Sequence, residues 1–163
     1  MSAFRIRPAT GEDARVLADM LVEAANWDPL RTRSRAALLA DHAVRRYVAG
    51  WQRPGDFGCV AEDARGVPVG ACWARLFPGD DPGYGFVGVG VPELTLGVYP
   101  TWRAQGAGRD LLRELGRTAA ARGHARLSLS VGHGNFAQRL YVSEGYVTVA
   151  SRDGSDTMVR TVR

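Results

Sequence analysis

The chain has 163 residues, of which 45% are hydrophobic and 23% charged, and we expect one globular domain over residues 1–163. No apolar run reaches the roughly 20 residues that a membrane-spanning helix needs, and the N-terminal residues contain no apolar signal core. These features predict a cytoplasmic protein without a membrane partner. The formal net charge is +4, but the 21 basic residues, all arginine, are spread among 17 acidic ones, which argues against a nucleic-acid partner.

The first part of the chain predicts one strand and two helices. Residues 3–8 alternate as a short strand. Thr10 with Asp13 approximates a capping box, and apolar residues at helical spacing follow directly. A second helix is predicted to begin after Ser34 and to carry apolar positions as far as Trp51.

Two antiparallel strands are predicted next, over residues 57–61 and 67–77. The turn-rich segment 78–85 follows them, and it is either a lid or specificity loop or an ordinary connection. Residues 86–91 alternate glycine with valine. They either form an early part of the central strand or lie before a break at Pro92, and the pattern does not decide between these.

The two cysteines, Cys59 and Cys72, lie inside apolar runs. Their spacing fits no metal site, and we expect both to be reduced thiols that pack as small hydrophobic residues. No cluster of His, Cys and Asp elsewhere in the sequence suggests a metal, so the chain is predicted to use none.

The most informative stretch joins a strand to a helix. Residues 94–98 alternate as a strand, which Pro100 ends, and leucines at helical spacing follow a few residues later. The join contains two glycines and two arginines: Gly106, Gly108, Arg103 and Arg109. A helix start attracts anions, and glycine lets a phosphate approach the backbone closely. The stretch therefore predicts a phosphate cradle at a strand–helix turn.

The remainder of the chain predicts a strand, a short helix and a closing hairpin. The strand covers residues 125–131, and Asn135 caps a helix that runs to Tyr141. The hairpin strands are placed at 146–150 and 157–162, so the predicted order is β-α-α-β-β-β-α-β-α-β-β.

Three families use a phosphate cradle of this kind. A P-loop requires a lysine, and this chain has none. A Rossmann fingerprint needs a third glycine where Leu111 stands and an acidic residue about 20 residues later, which the strand at 127–131 does not supply. The third family is the GNAT acetyltransferases.

Two segments resemble that family. Arg103-x-x-Gly106-x-Gly108 after a Val-x-Pro strand end is similar to its acyl-CoA diphosphate loop. Asn135-Phe136-Ala137-Gln138-Arg139-Leu140-Tyr141, then Gly145-Tyr146, resembles its Asn…Ala…Leu-Tyr…Gly-Phe/Tyr segment, in the same order and at the same separation. The motif match covers Glu93 to Tyr146.

The resemblance implies the GNAT fold, an α+β architecture with a mixed, mostly antiparallel central sheet flanked by helices. It also implies acetyl-CoA as the acyl donor, with no metal. The cofactor-binding residues that it implies are Leu96, Gly97, Val98, Arg103, Ala104, Gln105, Gly106, Ala107, Gly108, Arg109, Asn135 and Tyr141. Backbone amides near Val98 would hold the pantetheine, and amides from Gln105 to Arg109 the diphosphate.

Two residues are the catalytic candidates that the resemblance implies. Tyr141 matches the position that often donates a proton to the departing thiolate, although it could instead only pack against Ala137. Glu93 opens the central strand, where relatives often place a carboxylate that takes the proton of the amine. The alternatives are that Glu93 is a solvated strand end or that His133 or water is the base.

The function implied is transfer of an acetyl group from acetyl-CoA to an amine by direct attack. The alternative is a non-catalytic acyl-CoA-binding or regulatory module. The acceptor, a small molecule or a peptide, stays open, as does the role of Trp27, which either walls the acceptor pocket or simply packs. Dimers are common in the family, so a homodimer is compatible with the resemblance.

Overall fold

The computed structural model describes residues 3–163. The strands and helices, numbered in chain order, are β1 (Phe4–Pro8), α1 (Ala14–Ala25), α2 (Arg35–Ala40), α3 (His42–Arg45), β2 (Phe57–Asp63), β3 (Pro68–Arg75), β4 (Glu93–Val98), α4 (Ala107–Ala121), β5 (Arg126–Gly132), α5 (Ala137–Ser143), β6 (Val147–Arg152) and β7 (Ser155–Thr161). Two 3₁₀ turns, Gly11–Asp13 and Pro100–Gln105, precede α1 and α4. The capping box predicted from Thr10 and Asp13 is present at the first of them.

The strands form one seven-stranded sheet in the order β1-β2-β3-β4-β5-β7-β6. Every neighbouring pair is antiparallel except β4 and β5, which are parallel. The predicted order of strands and helices is confirmed with one difference, because the second predicted helix is two short helices. A mixed, mostly antiparallel sheet flanked by helices is therefore the fold of this chain.

The second predicted helix is interrupted at Asp41. This residue has an extended ψ of 115°, so α2 ends before it and α3 begins after it. Its side chain accepts a hydrogen bond from Ala43 N (3.0 Å), which caps α3. The apolar positions that suggested one long helix up to Trp51 instead reach the core from two helices and an irregular tail.

Residues 86–91 form no strand, which settles the question left open by their alternating pattern. The connection from β3 to β4 stays irregular up to Pro92, and β4 begins at Glu93. A Cβ built on Gly85 would lie 2.5 Å from the carbonyl carbon of Leu129, so this connection passes directly against β5. The alternating pattern of residues 86–91 gave no indication that the connection passes against β5.

Helices cover both faces of the sheet. Leu111, Leu115 and Ala119 of α4 are buried on one face together with alternate residues of β2 and β3, including both cysteines. On the other face Leu17 and Met20 of α1 are buried together. Cys59 and Cys72 are opposite one another in the register of β2 and β3, free and buried, as expected of core residues.

The two parallel strands separate soon after they meet. The only paired positions of β4 and β5 are Glu93 and Ser128, and Ser128 N also donates to Pro92 O (3.0 Å). Beyond this point the strands diverge toward their carboxyl ends and leave a gap in the sheet. Across residues 3–163 the structure contains no helix with the length and apolarity that crossing a bilayer requires.

Candidate active site

A cleft with a volume of about 560 Å³ lies between the diverging strands β4 and β5. All of β4 and the end of β5 form its floor, and the end of α1, the first turn of α4 and the beginning of α5 form its sides. Eight of the residues predicted for the site line this cleft: Glu93, Leu96, Gly97, Val98, Arg103, Gly108, Asn135 and Tyr141. The fold thus brings both predicted motifs to one place.

The remaining predicted cofactor residues lie at the start of α4 beside the cleft: Ala104, Gln105, Gly106, Ala107 and Arg109. Gly106 has a φ of +86°, and a Cβ there would meet no atom within 4 Å. The first bond within α4 runs from Asp110 N to Gly106 O, so the amides of residues 107–109 have no partner within the helix. This is the donor set that an anion at a helix start requires.

The two arginines of this loop are held differently. Arg103 lines the cleft, where its Nε donates to Val98 O (3.0 Å) and its guanidinium lies 3.6 Å from Glu23. The Arg109 side chain is directed toward the end of α5, where it bonds to Ser143 and forms an ion pair with Glu144. Arg109 therefore offers its backbone amide, rather than its guanidinium, to the cradle.

Two glycines in the cleft permit close packing. A Cβ on Gly97 would collide with Met20 O, so glycine lets α1 approach β4. A Cβ on Gly108 would lie 3.1 Å from Leu140 Cδ2. Gly108 therefore also sets how closely α4 and α5 approach each other at the cleft.

Glu93 is buried at the base of the cleft, with 2% of its surface exposed, and it is not a solvated strand end. Its Oε2 accepts hydrogen bonds from Tyr47 OH (2.5 Å) and Gly85 N (3.0 Å). Its Oε1 is buried without a hydrogen-bond partner among residues 3–163. Loss of water around the charged form raises the pKa of Glu93 to about 7, against the opposing effect of the two hydrogen bonds.

Tyr141 lines the opposite side of the cleft and is 6% exposed. Its ring packs edge-to-face against Tyr146, with centroids 6.0 Å apart. Burial raises the pKa of its phenol above the ordinary value, so the group stays protonated at neutral pH and is able to donate a proton.

Asn135 and His133 occupy the turn before α5. The Asn135 side chain accepts a hydrogen bond from Ala137 N (2.9 Å) and also lines the cleft, so it caps the helix and faces the cleft. His133 is half-exposed, with its Nε2 2.8 Å from Asp156 Oδ1, and it is not part of the cleft lining. The alternative base is therefore held away from the cleft by a carboxylate.

Besides Tyr141 and Phe136, three aromatic side chains line the cleft: Trp27, Tyr47 and Tyr84. A place in the acceptor pocket was one of two interpretations of Trp27, and the structure places this residue in the cleft wall. Tyr84 lies in segment 78–85, for which a lid or specificity loop was one interpretation, whereas the position of Tyr47 was not predicted. No local pattern marks the contacts of these two tyrosines with the surroundings of Glu93. Among residues 3–163, no group of three or more His, Cys, Asp or Glu side chains is placed to hold a metal ion.

Comparison with known proteins gives a family and several similar structures. The family model described as "Acetyltransferase (GNAT) family" matches residues 20–146. A PaiA N-acetyltransferase from Thermoplasma acidophilum in complex with coenzyme A superposes with a TM-score of 0.73 at 17% identity, over 99% of each chain. No curated protein sequence gives a significant match.

Two further solved structures show the same fold. A phosphinothricin acetyltransferase from Sinorhizobium meliloti in complex with acetyl-CoA has a TM-score of 0.65 at 19% identity, over 98% of this chain and 88% of its own. A ribosomal-protein-alanine N-acetyltransferase from Brucella melitensis has a TM-score of 0.67 at 24% identity, over 96% and 99%. The names of these two enzymes give different acceptors, so the likeness concerns the fold and not the acceptor.

Proposed function

Because the chain belongs to the GNAT acetyltransferase family, we propose that it transfers the acetyl group of acetyl-CoA to an amine by direct attack. One observation carries the proposal. A buried carboxylate with an unpartnered oxygen, Glu93, and a buried phenol, Tyr141, line the same cleft between the diverging strands. A proton acceptor and a proton donor on one cleft are the two groups that this reaction needs.

The donor is proposed to enter the cleft along β4. Backbone groups of residues 96–98 would hold the pantetheine, and the free amides of residues 107–109 the diphosphate. Similar structures have been solved with coenzyme A or acetyl-CoA, which supports this choice of donor. The binding needs no metal, because amides at a helix start complement the diphosphate charge by themselves.

The proposed chemistry balances with the groups present. The nitrogen lone pair of the neutral acceptor amine attacks the thioester carbonyl carbon, and the carbon–sulfur bond breaks as the amide forms. The proton lost by nitrogen passes to ionised Glu93, and the departing thiolate takes a proton from Tyr141. No covalent acyl-enzyme is required.

The test measures binding and turnover separately. Calorimetry with EDTA present should show that acetyl-CoA binds and that ATP binds far more weakly. An acceptor library should then release free CoA from acetyl-CoA. Tight ATP binding with weak acetyl-CoA binding would contradict the proposal, and acetyl-CoA binding without turnover for any acceptor would favour the non-catalytic module.

A further inference from the structure

We propose that the acceptor is a small monoamine with a flat apolar body, such as an arylalkylamine, bound between Trp27 and Tyr84 with its nitrogen at Glu93. The inference rests on the proposed acetyl transfer and adds the substrate class to it. It follows from the lining of the cleft, which includes both of these aromatic residues and Glu93.

The first wall is Trp27, which is held in place by its own loop. The Asn26 side chain accepts a hydrogen bond from Arg33 N (2.9 Å) and donates one to Arg33 O (2.8 Å), which closes residues 26–33 into a loop. The indole lies against β5, since a Cβ on Gly132 would come within 2.7 Å of its ring. The structure therefore presents a fixed aromatic surface to the cleft.

The second wall is Tyr84, on the connection between β3 and β4. Its backbone N donates to Tyr47 OH (2.8 Å), the same hydroxyl that bonds to Glu93, so this wall and the carboxylate are fixed to each other. Tyr84 as a residue is 61% exposed, and the Arg46 guanidinium lies over its ring, 4.9 Å from the centroid. Leu21, Ala25 and Val44 also line the cleft and add apolar surface to it.

Among the charged side chains that line the cleft within residues 3–163, Glu93 is the one that is not part of an ion pair. Four charged side chains among residues 3–163 line the cleft: Glu23, Arg33, Glu93 and Arg103. Glu23 faces Arg103 at 3.6 Å, and Arg33 is paired with Asp41 at 2.9 Å. Glu93 instead has two neutral hydrogen-bond donors, and its Oε1 has no hydrogen-bond partner within residues 3–163, although the Arg46 charge also acts on this carboxylate.

This arrangement selects against two other acceptor classes. The second cation of a polyamine would find no unpaired carboxylate in the cleft and would lose its water without compensation. The carboxylate of an amino acid would have to compete with Asp41 for Arg33 and would lie near the Glu93 charge. A flat apolar body instead gains contact with both aromatic walls.

The test compares four amines by CoA release: 2-phenylethylamine, n-propylamine, spermidine and L-phenylalanine. The value of kcat/KM for 2-phenylethylamine should exceed each of the others by at least tenfold. For propylamine the reason is the missing ring, since even one methylene missing from an apolar pocket typically costs about 10–200-fold. Preference for spermidine, phenylalanine or propylamine overturns the substrate class while leaving acetyl transfer intact. Binding of acetyl-CoA with no turnover of any of the four amines overturns the substrate class and counts against the proposed function.

Variants of Trp27 and Tyr84 test whether the preference for 2-phenylethylamine depends on these two side chains. Trp27→Leu and Tyr84→Leu should each raise the KM for 2-phenylethylamine at least fivefold and reduce its advantage over propylamine, with the acetyl-CoA Kd within twofold. Leu30→Ala is the matched control, because Leu30 is 90% exposed on the Trp27 loop and does not line the cleft. Tyr84 is exposed, so its variant tests the inference even if the Trp27 variant does not fold. An unchanged preference in folded variants overturns it.

Discussion

Glu93 bonds to two neutral donors, Tyr47 OH and Gly85 N, while almost all of its surface is removed from water. Its pKa of about 7 follows from that burial. A base must be ionised to accept a proton, so the proposed reaction should accelerate as the pH rises through about 7. The same burial affects stability, because the folded chain must ionise a carboxyl group that has little contact with water.

The Glu93→Gln variant tests the effect of Glu93 on stability and its effect on the reaction rate separately. The folded pKa of Glu93 lies above its ordinary 4.5, so its contribution to the stability of the wild type is greatest below pH 4.5 and is lost as the pH rises through about 7. The variant has no such loss, and the difference between its melting temperature and that of the wild type should therefore increase from pH 5 to pH 8. Turnover should fall, and its pH optimum should move upward, where the free amine is abundant.

Two measurements check this prediction, namely thermal melts at both pH values and a pH–rate profile of each protein. A variant with the wild-type pH–rate profile would remove Glu93 from the proton path. A melting-temperature difference between the two proteins that stays constant from pH 5 to pH 8 would show that the pKa of Glu93 in the folded state is not raised above its unfolded value.

Tyr47→Phe tests how the carboxylate is positioned. The phenol donates to Glu93 and so stabilises its ionised form, and the hydrogen bond from Tyr47 lowers the Glu93 pKa. Without it the acidic limb of the kcat/KM profile should move to higher pH. Tyr99→Phe is the matched control, because Tyr99 packs against the same hydrophobic cluster and does not line the cleft. If the two variants have the same pH dependence of kcat/KM, the Tyr47 hydroxyl does not position the carboxylate and Tyr47 contributes only packing.

Tyr141→Phe keeps the ring and removes the proposed proton donor. We expect kcat to fall by about 10²–10⁴-fold, the usual contribution of a positioned acid, while the acetyl-CoA Kd stays within about threefold. The control is Tyr146→Phe, because Tyr146 packs against Tyr141 and its buried hydroxyl has no hydrogen-bond partner among residues 3–163. Single-turnover kinetics make the chemical step visible. A Tyr141 variant within twofold of wild type would mean that the residue only packs.

At the scale of whole elements, α4 offers a comparison between its two ends. Gly106 and Gly123 flank the helix with φ of +86° and +89°, and a Cβ on either would meet nothing within 4 Å. Gly106→Ala and Gly123→Ala should therefore cost similar stability, about 1–2 kcal/mol each, through the left-handed backbone. Only Gly106→Ala changes the amides that would hold the diphosphate.

The expected result is a drop of at least tenfold in acetyl-CoA affinity for Gly106→Ala and an unchanged affinity for Gly123→Ala, measured by calorimetry. Urea unfolding of both variants provides the check on stability. Similar affinities in the two variants would mean that the diphosphate does not lie at the start of this helix.

The elements with local signals were the ones that the sequence predicted well. The glycines and leucines around α4 are neighbours in the chain, and so are Thr10 and Asp13 at their capping box. The interruption at Asp41 was not predicted, because the apolar spacing on both of its sides still fits one helix. Helical spacing does not encode the one backbone angle that separates α2 from α3.

The candidate site was predicted only in part for a related reason. The motif residues of β4, α4 and α5 converge on one cleft, as the family resemblance implied. The burial of Glu93 and its bond to Tyr47 depend on residues 46 positions apart, brought together by the irregular connection before β4. Contacts over such a distance leave no periodic pattern in the sequence.

At the scale of the whole molecule, a buried ion pair joins the sheet to the segment that carries Tyr47. Arg75, at the end of β3, bonds to Asp56 through Nε (3.1 Å) and Nη2 (2.7 Å). Its Nη1 donates to the carbonyl oxygens of Arg46 (2.8 Å) and Ala49 (2.7 Å), which lie on either side of Tyr47. One guanidinium thus satisfies a buried carboxylate and fixes the backbone from which Tyr47 reaches Glu93.

Arg75→Met should destabilise the chain by about 3–5 kcal/mol, because it leaves the Asp56 charge buried without a cation. Adding Asp56→Asn should recover part of this loss by removing that charge, while the amide oxygen still accepts from Arg53 N, as the carboxylate does at 2.7 Å. Arg117→Met is the surface control, since the Arg117–Glu114 pair is exposed and should contribute little.

Urea unfolding of the wild type, the Arg75→Met variant, the double variant and the Arg117→Met variant measures their stability. A pH–rate profile of the double variant then reports on the position of Glu93. The two carbonyl oxygens beside Tyr47 lose their donor in that variant, so Tyr47 should hold Glu93 less firmly. The acidic limb should then move toward higher pH even where stability has been recovered. A double variant as unstable as Arg75→Met would show that lost carbonyl contacts, and not the unpaired charge, cause the destabilisation. A double variant with the wild-type profile would show that the ion pair supports the fold without positioning the base.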